Sequence, residues 1–212
     1  MKKILYSILS VLLVFSFISR VSAEETDTTT QNQGINEQKE NIKSTFLNLT
    51  EEQKIERFSK IDKEYDIGEP FDLEDQVFIE MFAEKQGVQK ITPYASFPAS
   101  KSKTVNGVTV KVSGNVSQDI NNFINQSFGA NVKTQTTAGA TKVNSIKTVV
   151  YHNAYGIVGS KGVGKVYDGT LSTSGKNTTL NATKKYTAVV VYASTWCEVT
   201  VNHAAGTFTV NP

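Results

Sequence analysis

Apolar side chains change their spacing once along this chain, near residue 100, and the change separates a helical part from a strand part. Ile42, Phe46 and Leu49 recur at intervals of four and three over residues 36–49. Ile55, Phe58, Ile61 and Tyr65 form a second stripe, opened by Thr50-Glu51-Glu52-Gln53. In that opening, Thr50 and Gln53 can satisfy each other's backbone donors as a capping box. Val77, Phe78, Met81 and Phe82 form a third stripe, which starts at Asp72 behind Pro70 and ends at a C-cap on Gly87. Residues 92–104, with Pro93, Pro98 and several Ser and Ala, break the periodicity and read as a linker.

Beyond the linker the period is two. Val108, Val110 and Val112 alternate with Thr109, Lys111 and Ser113, as in a half-buried strand. Asn115 to Phe128 interrupts this with Val116, Ile120, Phe123 and Ile124 at helical spacing, which predicts one inserted helix between a Ser117 cap and Gly129. Strand patterns resume near 142–152, 162–172, 184–194, 196–202 and 207–211, separated by short Gly/Asn/Ser breaks. Ala188 to Ala193 is apolar on both faces and reads as the central strand. The expected fold is α+β. An N-terminal helical segment of two to three helices (36–91) precedes a mainly antiparallel β-sandwich or meander (105–212) with one inserted helix.

Two stretches before residue 36 follow neither pattern. Lys2 and Lys3 precede an apolar run from Ile4 to Ile18, closed by Arg20 and the small residues Val21-Ser22-Ala23. The run is shorter than the roughly 20 residues a spanning helix needs. Residues 1–23 therefore read as a secretory signal peptide cut after Ala23, and the protein is expected to be bacterial and secreted. Residues 24–35 are polar and Thr/Gln-rich, so disorder is expected there.

Charge sharpens the division. Residues 24–93 hold 17 acidic and 8 basic side chains, whereas residues 94–212 hold 3 acidic and 11 basic ones. Every basic residue of the strand part is a lysine: Lys101, Lys103, Lys111, Lys133, Lys142, Lys147, Lys161, Lys165, Lys176, Lys184 and Lys185. Lysine is a hydrated point charge without the planar fork that arginine uses on phosphates, so specific nucleic-acid readout is disfavoured. Diffuse attraction to an anionic envelope or membrane fits better, and the acidic segment is the expected intramolecular partner of these lysines.

Candidate chemistry is sparse. Gly159-Ser160-Lys161-Gly162-Val163-Gly164-Lys165 matches seven positions of a phosphate-binding loop, but Val166 stands where magnesium needs Ser or Thr and a strand pattern follows. The segment reads as a glycine-rich hairpin with two exposed lysines. Asp62, Glu64, Asp66 and Gly68 approximate a calcium loop, but glycine and the distal glutamate (Glu74) each fall one residue late. They read as a solvated inter-helix turn. Asp168 and Glu198 lack a motif that would pair them as glycosidase acids.

Cys197 is the single cysteine, which excludes an intramolecular disulfide and a multi-thiolate metal site. With His152 and His203 it forms the set of candidates for thiol catalysis. Cys197 shares strand parity with Val199 and Val201, which predicts burial, and His203 lies roughly 20 Å further along the strand. His152 could approach only from a neighbouring strand. No catalytic motif emerges, and no metal or cofactor is expected. The layout resembles, in architecture alone, that of larger secreted bacteriocins and other exported proproteins of bacilli. It implies a secreted antibacterial or envelope-directed effector with a helical pro-region, or else a non-catalytic surface-binding module. A cysteine hydrolase is the third class.

Overall fold

The computed structural model describes residues 27–87, 95–122, 124–160 and 162–212. The signal segment with Ala23, and Lys161, lie outside the described residues. The chain divides into two compact units, residues 1–44 and 45–212. The described part of the first unit belongs to helix α1 (Asp27–Phe46), so the chain is helical from Asp27 where disorder was expected.

In the second unit, the two helices read from the sequence form close to their expected bounds. Helix α2 (Glu51–Glu64) begins at the capping box, with the Gln53 amide donating to Thr50 Oγ1 at 3.2 Å and the Thr50 amide donating to Gln53 Oε1 at 2.8 Å. Helix α3 (Leu73–Phe82) begins at Asp72, whose carboxylate accepts from the Asp75 amide at 2.8 Å. It ends at Ala83, earlier than expected; Gly87 instead sits at φ 76° in a turn beyond the short strand β1 (Glu84–Lys85). Arg57 joins the helices by donating to Asp75 at 2.6 Å and Glu74 at 2.9 Å.

The remaining strands are β2 (Ala95–Pro98), β3 (Lys101–Val105), β4 (Val108–Asp119), β5 (Asn125–Ala138), β6 (Val143–Ile157), β7 (Val163–Gly175), β8 (Thr178–Thr187), β9 (Tyr192–His203) and β10 (Gly206–Val210). They build two antiparallel five-stranded sheets. Sheet A runs β1-β9-β6-β7 with β10 also on β9, and sheet B runs β2-β4-β5-β8 with β3 also on β4. Val110, Val112 and Val132 of sheet B pack with Ile146, Val150, Val199 and Val201 of sheet A in one apolar core.

Three expectations need correction. The stretch read as a linker forms strands β2 and β3, paired through registers such as Phe97↔Val116 and Lys103↔Val110. The stretch read as an inserted helix is the end of β4, a short loop and the start of β5. Val116, Gln118 and Ile120 are buried at strand parity there, and their burial against sheet A overrides the helical spacing. The run read as a central strand contains the crossover from sheet B to sheet A. Ala188 donates to Ile124 O at 3.0 Å and Val191 to Tyr155 O at 2.8 Å, outside either ladder. The apolar residues of that run do not share one environment: Val190 is fully buried, whereas Val189 is 54% exposed.

Helices α2 and α3 lie on the outer face of sheet A. Cys197, Val199 and Val201 point into the core, so Trp196 points outward, and Phe58 of α2 stacks on it at 6.1 Å between ring centroids. Trp196 also stacks on its cross-strand neighbour Tyr151 at 5.3 Å, while Phe71 meets Tyr155 edge-on at 5.7 Å. The chain between the helices is bound to β7: the Gly68 amide donates to Lys165 O at 2.8 Å and the Phe71 amide to Val163 O at 3.0 Å. The unit thus has three layers, helices, sheet A and sheet B.

Candidate functional site

Cys197 occupies the buried strand position that its parity predicts. It pairs across sheet A with Val150 and is 2% exposed. Burial, with Glu198 adding to it, pushes the thiol up to about 12, so the nucleophilic thiolate is absent at neutral pH. Native Cys197 is therefore expected to react with iodoacetamide orders of magnitude more slowly than the unfolded chain, measured by mass spectrometry against a denatured control. Rapid labelling of folded protein would refute its burial.

His152 sits on the neighbouring strand, but it pairs with Thr195, and both ring nitrogens are occupied. Nδ1 is 2.7 Å from Thr195 Oγ1 and Nε2 is 2.8 Å from Tyr186 Oη. Thr195 Oγ1 donates to Gln118 Oε1 at 2.6 Å, which leaves its oxygen to accept from Nδ1–H, while Tyr186 donates to Nε2. In the neutral imidazole that burial favours, Nδ1 thus carries the proton and Nε2 accepts. Burial pushes His152 down to about 3 and the Tyr186 phenol upward. Phe128 stacks on the ring at 4.6 Å. The network ties β6 and β9 of sheet A to β4 and β8 of sheet B, so His152 is an inter-sheet polar staple whose lone pairs and protons are already engaged. His203 is at the far end of β9 against Phe208.

The structure scatters the ten described lysines of this set. Lys165 is 3% exposed, its ammonium donating to Asp62 O at 2.7 Å and lying 3.5 Å from Asp62 Oδ1 and 3.6 Å from Asp168 Oδ2. It is removed from the surface-binding set, and the glycine-rich hairpin does not present it to solvent. Asp62, read as part of a solvated turn, instead faces this ammonium. Lys101 pairs with Glu52 and lowers its carboxyl below the usual range; Lys103 donates to Thr209 O at 2.8 Å. Lys142 reaches Asn106 O at 3.5 Å.

Of the exposed remainder, Lys111, Lys133 and Lys185 alternate with buried Val110, Val112, Val132 and Tyr186, and so stand on the outer face of sheet B. Lys147 lies on the outer face of sheet A, Lys184 shares strand parity with Tyr186 at the edge of sheet B, and Lys176 lies in the turn between β7 and β8. On the outer face of sheet B, Asp119 is the single acidic residue among those described, and its cross-strand partner is Ser127. Thr109, Ser113, Asn131, Gln135, Thr179 and Asn181 fill much of the rest of that face.

Sequence reasoning found Cys197 and His152 but missed the partners of the staple. The available signal was parity: Gln118 follows Val116 by two and Thr195 lies between Ala193 and Cys197, so both are polar residues at inward positions. No group of three or more His, Cys, Asp or Glu among the described residues is arranged to hold a metal ion. No protein-family model matches the chain, and no curated protein matches it.

Proposed function

We propose that this protein is a secreted, non-catalytic module that attaches to anionic bacterial surfaces through the outer face of sheet B and retains its acidic helical layer. The observation that supports it is the segregation of charge across layers. Residues 45–87 carry 12 acidic and 5 basic side chains, while the opposite outer face presents Lys111, Lys133 and Lys185 among Thr, Ser and Asn. A molecule charged in this way orients in the field of an anionic surface with sheet B inward. The helical layer is too deeply integrated for simple masking: α2 contacts Trp196 and supplies the partner of Lys165, and Phe71 between the helices meets Tyr155. This favours a retained layer over a removable pro-region.

The test is sedimentation with vesicles of mixed phosphatidylglycerol and phosphatidylcholine, and with isolated teichoic-acid-bearing walls. Each lysine near an anionic membrane contributes about 1 kcal/mol. Lys111→Gln with Lys133→Gln is therefore expected to weaken binding about thirtyfold, while Lys147→Gln, on the other face, has a smaller effect. Equal binding to neutral and anionic vesicles would overturn the reading. An active secreted form beginning near Ser96 would restore the pro-region, and growth inhibition of related bacteria by that form would make it an antibacterial effector.

A further inference from the structure

Among the described residues, the outer edge of β9 is incompletely paired. β1 pairs with it at Tyr192 and Ala193, and β10 from Val199 onward. Among the described residues, no strand pairs with that edge over Ser194–Glu198. The gap opens into a cavity of about 450 Å³ between α2, the end of α3 and the β2 segment. Its apolar lining includes Phe58, Phe82, Phe97, Val116 and Trp196, and the volume lies within the range of small-molecule sites.

Among the described residues, the charged lining consists of Glu51, Glu84 and Lys54, two carboxylates against one ammonium. Lys54 already shows how a cation is received there: its Nζ lies 4.9 Å from the Phe82 ring centroid and 2.7 Å from Glu51 Oε1. An aromatic face, a carboxylate and an apolar interior together match an ammonium group on a hydrocarbon chain. An anionic headgroup would meet excess negative charge, and a polar body would leave the aromatic lining without a partner.

We infer that this cavity is a binding site for hydrophobic organic cations, with the hydrocarbon against Trp196, Phe97 and Val116 and the ammonium at Phe82 and Glu51, where Lys54 is its built-in competitor.

The probes are decyltrimethylammonium, decanol and decanoate, titrated below their micelle-forming concentrations into the full chain. The readout is methyl NMR. Saturable shifts are expected at Ile55, Ala99, Val116 and Ala193, whereas Val108, Val143 and Ile146 at the far end of the core stay fixed. The cation is expected to bind about tenfold tighter than decanoate, with decanol between them. Lys54→Gln, a change on a helix surface, is expected to tighten the cation about fivefold by removing its competitor. Shifts that do not saturate or that extend to the control methyls would overturn the inference, as would equal affinity for decanoate or a Lys54→Gln variant that binds the cation no better. Trp196 fluorescence gives an independent reading, because this single tryptophan lines the cavity.

Discussion

Phe78→Ala is expected to lower the unfolding free energy by about 3–5 kcal/mol and to shift helix and sheet melting together. Phe78 is fully buried and touches Phe46 at 5.5 Å, Phe58 at 4.9 Å and Phe82 at 5.0 Å between ring centroids. Truncation leaves a void beneath three rings, each anchored on a different helix (Phe46 on α1, Phe58 on α2, Phe82 on α3), so local collapse recovers little of it. Phe58 then transmits the loss to Trp196 on sheet A. If residues 36–91 were an independent domain behind a flexible linker, the helical signal would fall at lower denaturant while the sheets kept their midpoint. One compact unit from Thr45 to Pro212 requires a single midpoint for both. Urea titrations followed by circular dichroism at helix and strand wavelengths, with Trp196 fluorescence as a third probe, decide between them. Separated transitions would refute the three-layer unit.

The same geometry explains which parts of the fold were legible in the sequence. Helices α2 and α3 were readable because a capping box and an Asp72 cap coincide with the apolar stripes. Strands β6, β7, β9 and β10 were readable because their Val, Thr and aromatic residues fall between short Gly/Asn/Ser breaks. β2 and β3 were not, because both pair at the edge of sheet B and β3 has no buried residue to impose alternation. The missed sign was Asn106-Gly107, both at positive φ (51° and 75°), a two-residue turn that joins β3 to β4 as a hairpin. The inserted-helix reading failed because Val116 and Ile120, four apart, satisfy a period of two as well as one of 3.6.

At the candidate site, parity along one strand was enough to bury Cys197. The staple around His152 draws on four strands far apart in sequence, and Lys165 is buried by Asp62, 103 residues earlier. Contacts of that kind exist only after the layers have assembled, so parity can mark Gln118 and Thr195 as inward-facing but cannot name their partners. The apparent surplus of free lysines was overstated for the same reason: Lys101 and Lys165 are engaged by the acidic layer itself.

Acidification from pH 7 to 4.5 is expected to destabilise the protein by about 2–3 kcal/mol through His152 alone. The unfolded imidazole titrates near 6.5, whereas burial holds the folded one down to about 3. Between those values the unfolded chain binds a proton that the folded chain does not. The stabilisation from His152 is therefore full above pH 6.5 and declines by about 1.4 kcal/mol per unit as pH falls toward 3. The groups that face the ring are neutral: Tyr186, Thr195, Phe128 and Tyr167, with Gln118 beyond Thr195. No carboxylate is placed to receive the imidazolium, and protonation of Nε2 would turn the acceptor of the Tyr186 hydrogen bond into a second donor. His152→Gln is the comparison that isolates this group, because His203 and the carboxylates remain in both proteins. The variant starts less stable at pH 7, since Gln cannot reproduce both bonds and the Phe128 stack. Its stability is expected to fall by less than half as much between pH 7 and 5, the window above carboxylate titration. Parallel stability–pH curves for the two proteins, measured by urea unfolding, would show that the staple does not hold His152 neutral.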